Sequence, residues 1–255
     1  MISKKQLSLI TSLQHKKFRK EHGLFFAEGE KIVAELLHSD FVIRELYMTE
    51  LYYENSFPQL NTTLSPVIIT EKELKKISAL TMPQQVLAVA EMPDYDFELS
   101  NLSNRLTLIL DGIKDPGNLG TIIRIADWFG IVNIICSESS VDCFNPKVVQ
   151  ATMGSLFRIK ISYCTLKNLF EENKRKESIP VYGTFLIGEN IYKSALALSG
   201  FIVIGNESEG ISEAVKKYIT KPLMIPSFAR TTSFSIDSLN AAMATAIVCS
   251  EFRRR

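Results

Sequence analysis

Between Leu106 and Phe252, short and nearly unbroken apolar runs alternate with amphipathic stretches of helical period. A strand buried on both faces reads as a continuous apolar run, and two parallel strands need a crossover long enough for a helix. RLTLIL, VNIIC, FRIKI, PVYGTF, FIVIGNE and PLMIP supply the runs. TIIRIADWF, NPKVVQATMG, TLKNLFEENKRK, SEAVKKY and SLNAAMATAIVCSEF supply the crossovers. The pattern predicts an α/β domain whose parallel sheet is covered on both faces. In NPKVVQATMG, Asn145 is expected to cap the helix, with Pro146 in its first turn and Gly154 near its end.

The first half is less regular. GLFFAEG and FVIREL read as strands around the helix-like EKIVAELLHS; PVII and VLAVAEM read as later strands. TEKELKKISAL opens with a capping box, Thr70 and Glu73. The polar, aperiodic PDYDFELSNLSN, residues 93–104, reads as a linker. Two domains follow, 1–95 and 104–255.

Cys136, Cys143, Cys164 and Cys249 form no CxxC pair, and His15, His22 and His38 no HExxH. Reduced structural thiols and the lack of a metal site are expected. No apolar run spans a bilayer and no signal-peptide core is seen, so a cytoplasmic protein is expected, with no membrane partner. The net charge is only +1, but Lys4, Lys5, Lys16, Lys17, Arg19 and Lys20 face a single acid, Glu21, within residues 1–22. Such a cluster suits a polyanion by counterion release. It equally suits a solvated helix face. Arg253, Arg254 and Arg255 read as basic residues at a helix C-terminus.

Ligands of open parallel sheets sit outside the carboxyl ends of the strands. Three loops follow such ends: 111–120, 205–210 (GNESEG) and 226–237 (PSFARTTSFSID). The first has neither GxxxxGK[ST] nor GxGxxG. It carries the turn signal Pro116-Gly117, with Asn118 as a plausible cap and Gly120 before a helix striped by Ile122, Ile125, Ala126 and Phe129. Arg124 falls opposite that stripe, either to meet a phosphate or carboxylate or as an ordinary surface arginine. In the second loop Gly205 and Gly210 allow close backbone approach, and Glu207 and Glu209 disfavour phosphate. The third runs into DSLN, with Asp237 or Ser238 as cap. Ala241, Ala242, Ala244 and Ala246 follow, suited to close packing within the chain or to a dimer interface.

Together, LILDGIKDPGNLGTIIRIADWFGI, NPKVVQATMGSLFRI, FIVIGNESEGIS and IPSFARTTSFSIDSLNAAMATAI resemble the SpoU (TrmH-like) RNA 2′-O-ribose methyltransferases of the SPOUT superfamily. FRKEHGLFFAEGEKIVAEL and PQQVLAVA resemble the L30e-like RNA-binding domain that often precedes that catalytic domain. The resemblance implies an α/β trefoil-knot domain behind a smaller α/β domain, a homodimer, S-adenosylmethionine as methyl donor and a ribose 2′-hydroxyl as acceptor. Ribosomal RNA is the expected substrate. A tRNA, and a non-catalytic RNA-binding protein of the same fold, are the alternatives; an unrelated α/β nucleotide-binding enzyme is a third.

Residue by residue, the resemblance implies catalytic roles for Asn118, Arg124, Glu207, Ser238 and Asn240. It implies a cofactor site at Thr184, Phe185, Leu186, Gly205, Asn206, Gly210, Ile225 and Leu239. Lys16, Lys17, Arg19 and Lys20 are the candidate RNA contacts. The sequence departs from the family in a longer loop between Ile225 and Leu239, in Ala241 after Ser-Leu-Asn, and in Gln85 where glycine is common. Arginine stays protonated in nearly all protein settings. Arg124 is therefore expected to orient the hydroxyl and stabilise the developing alkoxide rather than to act as a base.

Overall fold

The computed structural model describes residues 2–60, 62, 64–228 and 238–254. The chain forms two compact units, Met1–Asp94 with Asp142–Arg158, and Tyr95–Val141 with Ile159–Arg255.

The first unit contains α1 (Lys4–Ser12), α2 (Lys16–His22), β1 (Leu24–Glu28), α3 (Glu30–Leu37), β2 (Ile43–Met48), α4 (Glu50–Asn55), β3 (Val67–Ile68), α5 (Glu71–Ile77) and β4 (Val86–Glu91). Its sheet runs β1-β4-β2-β3, antiparallel except for β2 with β3. Ile10 and Leu13 of the N-terminal segment, Leu74 and Ile77 of α5, and Phe26, Tyr47, Leu87 and Val89 of the strands share one buried cluster. The Thr70–Glu73 capping box forms as expected.

The second unit contains β5 (Leu106–Asp111), α6 (Pro116–Trp128) and β6 (Asn133–Ser137). The β6–β7 crossover carries α7 (Pro146–Thr152), which belongs to the first unit, with Asn145 as its cap. The second unit resumes with β7 (Lys160–Cys164), α8 (Leu166–Lys176), β8 (Val181–Asn190), β9 (Gly200–Gly205), α9 (Glu213–Lys216), β10 (Lys221–Met224) and α10 (Ala241–Arg253). The sheet order is β10-β8-β9-β5-β6-β7, and each neighbouring pair is parallel. β5 is buried along its whole length, as its apolar run predicts. No helix among the described residues is long and apolar enough to cross a membrane.

Helix α6 starts five residues before the periodic run. Asp115, rather than Asn118, is its cap: the Asn118 N–H donates to Asp115 Oδ1 at 2.8 Å, and Pro116 takes the first position. The buried stripe is accordingly Leu119, Ile122, Ile123 and Ala126, while Ile125 and Phe129 are half-exposed. Burying each of the larger three contributes roughly 1.5–3 kcal/mol.

Helices α6 and α10 pack side by side and are tied at both ends. Asn240 Nδ2 donates to Asn118 Oδ1 at 2.9 Å. At the far end Arg253 donates to the Phe129 carbonyl (2.7 Å) and the Gly130 carbonyl (2.9 Å), acceptors that a helix C-terminus leaves open. Arg254 pairs with Glu251, and Arg255 lies outside the described residues. Ala241 and Ala242 are buried within the chain, while Ala244 and Ala246 are half-exposed.

Candidate active site

Parallel strands end together, so the loops after β5, β9 and β10 share one edge of the sheet. The first, 112–118, is stapled on both sides. Its Gly112 N–H donates to Ser137 Oγ at 2.9 Å, and its Gly112 carbonyl accepts from Asn206 Nδ2 at 2.7 Å. The Val141 N–H donates to the Ile113 carbonyl at 2.8 Å.

The second loop is a closed hairpin. Asn206 and Gly210 exchange backbone hydrogen bonds of 3.0 and 2.9 Å. Asn206 Oδ1 accepts from the N–H groups of Ser208 and Glu209, and the buried Asp111 carboxylate accepts from the Ser212 N–H at 2.8 Å. A Cβ on Gly205 would lie 2.3 Å from Gly210 C and Ile211 N. The bare Cα of Gly205 thus makes room for its own hairpin. Gly205→Ala is expected to open this hairpin, cost about 1–3 kcal/mol of stability and weaken cofactor binding. Thermal melting and calorimetry check it.

The structure brings Asn118, Glu207 and Asn240 together. Asn118 Nδ2 donates to Glu207 Oε1 at 2.6 Å. The direction of this relay is fixed from its far end. Asn240, not Asp237 or Ser238, caps α10: its Oδ1 accepts from the N–H groups of Ala242 (2.9 Å) and Met243 (3.4 Å). Asp237 lies outside the described residues. Asn240 must then point its amide nitrogen at Asn118 Oδ1, so Asn118 must point its own nitrogen at the carboxylate. Glu207 Oε2 has no partner among the described residues. Asn118→Asp replaces the donor with a second negative charge. Since hydrogen bonds to charged groups are worth about 1.5–3 kcal/mol, a roughly tenfold to hundredfold lower turnover is expected. Activity should recover partly as pH falls and one proton is shared by the two carboxylates. A pH–rate profile of the variant checks this.

Arg124 is exposed on α6, and no described residue holds its guanidinium. Ser238 and Leu239 are also exposed and precede the cap. On β8, Gly183 pairs with Pro222 and Glu189 with the next residue, Leu223. Residues 184–188 therefore leave the ladder. Within this excursion Thr184 Oγ1 donates to the Val203 carbonyl at 3.2 Å. Phe185 is half-buried and packs against the apolar cluster that includes Ile109, Phe201 and Val203. Leu186 is 69% exposed and Ile187 89% exposed. Ile187 was not singled out from sequence, since FLIGEN reads simply as the end of an apolar run. Ile225, just past β10, is half-buried, and Gly210 has open space about its Cα.

Leu186, Ile187 and Leu239 present exposed apolar side chains, and residues 184–188 keep their backbone out of the β8–β10 ladder. Among the described residues no three His, Cys, Asp or Glu side chains are grouped to hold a metal ion. All four cysteines are free, and burial pushes the Cys136 and Cys249 thiols up to about 12, far from reactive thiolates.

Of the four candidate RNA contacts, Lys16, Lys17 and Lys20 are exposed on α2. Arg19 is not available: it is 1% exposed and faces inward. Its Nε and Nη2 donate to Asp142 Oδ2 at 3.0 and 2.6 Å, and its Nη1 donates to the Leu13 and Gln14 carbonyls at 2.8 and 3.0 Å.

The profile of the SpoU rRNA Methylase family matches residues 105–250. The chain belongs to this family. Residues 4–88 match the MRM3-like substrate binding domain, so the SpoU domain follows a second recognised module. The chain is 30% identical over 243 residues to the 23S rRNA (guanosine(2553)-2′-O)-methyltransferase RlmP of Bacillus subtilis, covering 94% of this chain and 93% of that one. Among solved structures, a Porphyromonas gingivalis protein placed in the TrmH family of RNA methyltransferases aligns over 100% of this chain and 99% of its own. Its TM-score is 0.87 at 38% identity. The AdoMet-bound rRNA methyltransferase of Sinorhizobium meliloti aligns over 100% and 97%, with TM-score 0.83 at 29% identity. The six-stranded parallel sheet and the smaller N-terminal α/β unit are thus the SpoU arrangement expected from the sequence.

Proposed function

We propose that this chain transfers a methyl group from S-adenosylmethionine to a ribose 2′-hydroxyl of ribosomal RNA, in the cytoplasm and as a homodimer. The observation that carries the reading is the Glu207–Asn118–Asn240 relay at the carboxyl edge of the sheet, on the helix that bears the uncommitted Arg124.

S-adenosylmethionine, when bound, supplies a methyl group already activated on a sulfonium. The 184–188 segment, Gly210, Ile225 and Leu239 would hold it, largely through backbone and apolar contacts. The protein then has to position a weak nucleophile and stabilise charge as its proton leaves. Arg124 presents a planar fork of donors that suits a ribose oxygen and its neighbouring phosphate. It is a donor without acceptor capacity, so it orients the hydroxyl and stabilises the alkoxide. Glu207, held by Asn118, keeps one oxygen free to accept a hydrogen bond from the target nucleotide. Lys16, Lys17 and Lys20 on α2 would contact RNA phosphates. Trp128, 86% exposed on α6, and Met243, exposed on α10, support association of two copies through the paired helices. The trefoil knot implied by the family resemblance belongs to the same reading.

The test is incubation with tritiated S-adenosylmethionine and protein-free ribosomal or transfer RNA, followed by alkaline hydrolysis. Label in alkali-resistant dinucleotides of ribosomal RNA is expected. Label in tRNA alone would reassign the substrate, and no label in either would overturn the reading.

A further inference from the structure

Strand β6 ends in Ser137, and the turn after it closes with the Ser140 N–H donating to the Ser137 carbonyl at 3.0 Å. Ser137 and Ser140 are buried, while Glu138 and Ser139 between them are exposed. Three hydroxyls meet here: Ser137 Oγ lies 2.9 Å from Ser139 Oγ and 3.0 Å from Ser140 Oγ. The Leu110 carbonyl decides which of them donates. It can only accept, so the Ser140 hydroxyl turns its one proton to it, at 3.3 Å. Ser140 must then accept from Ser137, and Ser137, its own proton used, must accept from Ser139. The Gly112 N–H also donates to Ser137 Oγ, at 2.9 Å. A serine hydroxyl has one proton and two lone pairs. At Ser137 all three are engaged, and the hydroxyl has one orientation.

Gly112 is the residue on which this orientation acts. Its φ is +75°, a conformation that glycine enters without a Cβ penalty and leaves as readily. Its N–H belongs to the peptide before its Cα and its carbonyl to the peptide after. Ser137 Oγ holds the first, and Asn206 Nδ2, at 2.7 Å, holds the second. Both soft dihedrals of the glycine are thereby fixed. Three residues on, Asp115 caps α6, and six residues on stands Asn118, which donates to Glu207. The backbone of Ser137 is already held by its pairing with Cys164 on β7 and by its own turn, so its hydroxyl serves the neighbouring loop and not its own strand.

We propose that Ser137 is a positioning residue for methyl transfer: its hydroxyl, oriented by Ser139 and Ser140, pins the Gly112 peptide and so sets how the chain enters α6 and where Asn118 stands. This rests on the methyltransferase reading above and adds to it a residue that lies outside the three site loops. Ser137 touches neither cofactor nor target; it acts through Gly112. The geometry of reacting groups is steeply coupled to rate, and a displacement of about 1 Å can cost about a hundredfold. A glycine released on one side is able to supply such a displacement.

The test compares Ser137→Thr with Ser137→Val in the full chain. The two side chains have nearly the same shape, and only threonine keeps the oxygen, so any cost of the added bulk cancels between them. Single-turnover methyl transfer to protein-free 23S ribosomal RNA is measured at saturating S-adenosylmethionine, with cofactor affinity by calorimetry. Ser137→Val is expected to react roughly tenfold to hundredfold more slowly than Ser137→Thr, as when a donor loses its only acceptor. The two should bind the cofactor within about twofold of each other, a split that a merely structural role would not give. Ser139→Ala, which leaves the Gly112 and Ser140 bonds in place, should react within about threefold of the parent. In an Asn118→Ala background the difference between Thr and Val should shrink, because the residue that Ser137 positions is gone. Equal rates for Thr and Val, a cofactor affinity that falls in step with the rate, or an undiminished difference in the Asn118→Ala background overturns the proposal and leaves the methyltransferase reading intact. A parent chain that transfers no methyl group to RNA overturns both.

Discussion

Arg124→Ala is expected to lower the rate of methyl transfer by about two to three orders of magnitude, the usual cost of removing one preorganised donor from a developing oxyanion. Its effect on folding should be small. The side chain is exposed and no described residue holds it, and substitutions at such positions usually change stability by less than about 0.5 kcal/mol. The loss should therefore appear in single-turnover rates at saturating S-adenosylmethionine, with cofactor affinity and melting temperature near those of the parent. Arg124→Lys keeps the charge but not the planar two-point fork, so it should recover only part of the rate. A near-normal single-turnover rate for Arg124→Ala would move the burden of charge stabilisation to another group.

The second large effect is structural. Arg19→Ala is expected to destabilise the first unit by about 3–5 kcal/mol, as when one partner of a buried ion pair is removed. At about 2–4 °C per kcal/mol for a chain of this size, that is a fall of roughly 10 °C in melting temperature. The reason is the completeness of the site. Two bonds to Asp142 Oδ2 and two to backbone carbonyls hold the guanidinium, while Asp142 Oδ1 accepts from the Phe144 N–H at 3.0 Å. Alanine leaves a carboxylate and two carbonyls with lost donors. Removing Asp142 as well should cost less than the sum of the single losses. Urea denaturation of the two single variants and the double variant measures that coupling. Additive losses would show that the pair is not acting as one unit.

Arg19 also shows where sequence reading stops. Four basic residues in a short stretch look alike by charge, yet three face solvent and one is consumed by a partner 123 positions away. No local period encodes that. The strands of the second unit were legible because a parallel sheet covered on both faces demands continuous apolar runs, and β5, β6 and β9 are buried almost throughout. The short helices α1, α2 and α4 were not seen. Each has few apolar positions, and tertiary packing rather than periodicity stabilises it.

The site itself was partly legible. Asn118, Glu207 and Asn240 were named from motif resemblance, and the structure joins them by hydrogen bonds. What each does locally was not legible. The caps fall on Asp115 and Asn240 instead of on their neighbours, because cap identity depends on where the first helical turn closes. Phe185, named for the cofactor, packs half-buried against the core, a placement that no local pattern gives because the register breaks at 184–188.

The bonds from Arg253 to the last carbonyls of α6 have a practical consequence for anyone handling this protein. The final turn of the last helix is the outer wall of the helix that bears Arg124. Proteolysis or redesign that removes that turn would leave two carbonyls bare at one end of α6 and free the helix to slide against its neighbour. Asn118 and Asn240 would then lose their shared register at the other end. A preparation nicked there could still fold and bind cofactor, yet turn over slowly, and its mass would diagnose the defect before any assay did.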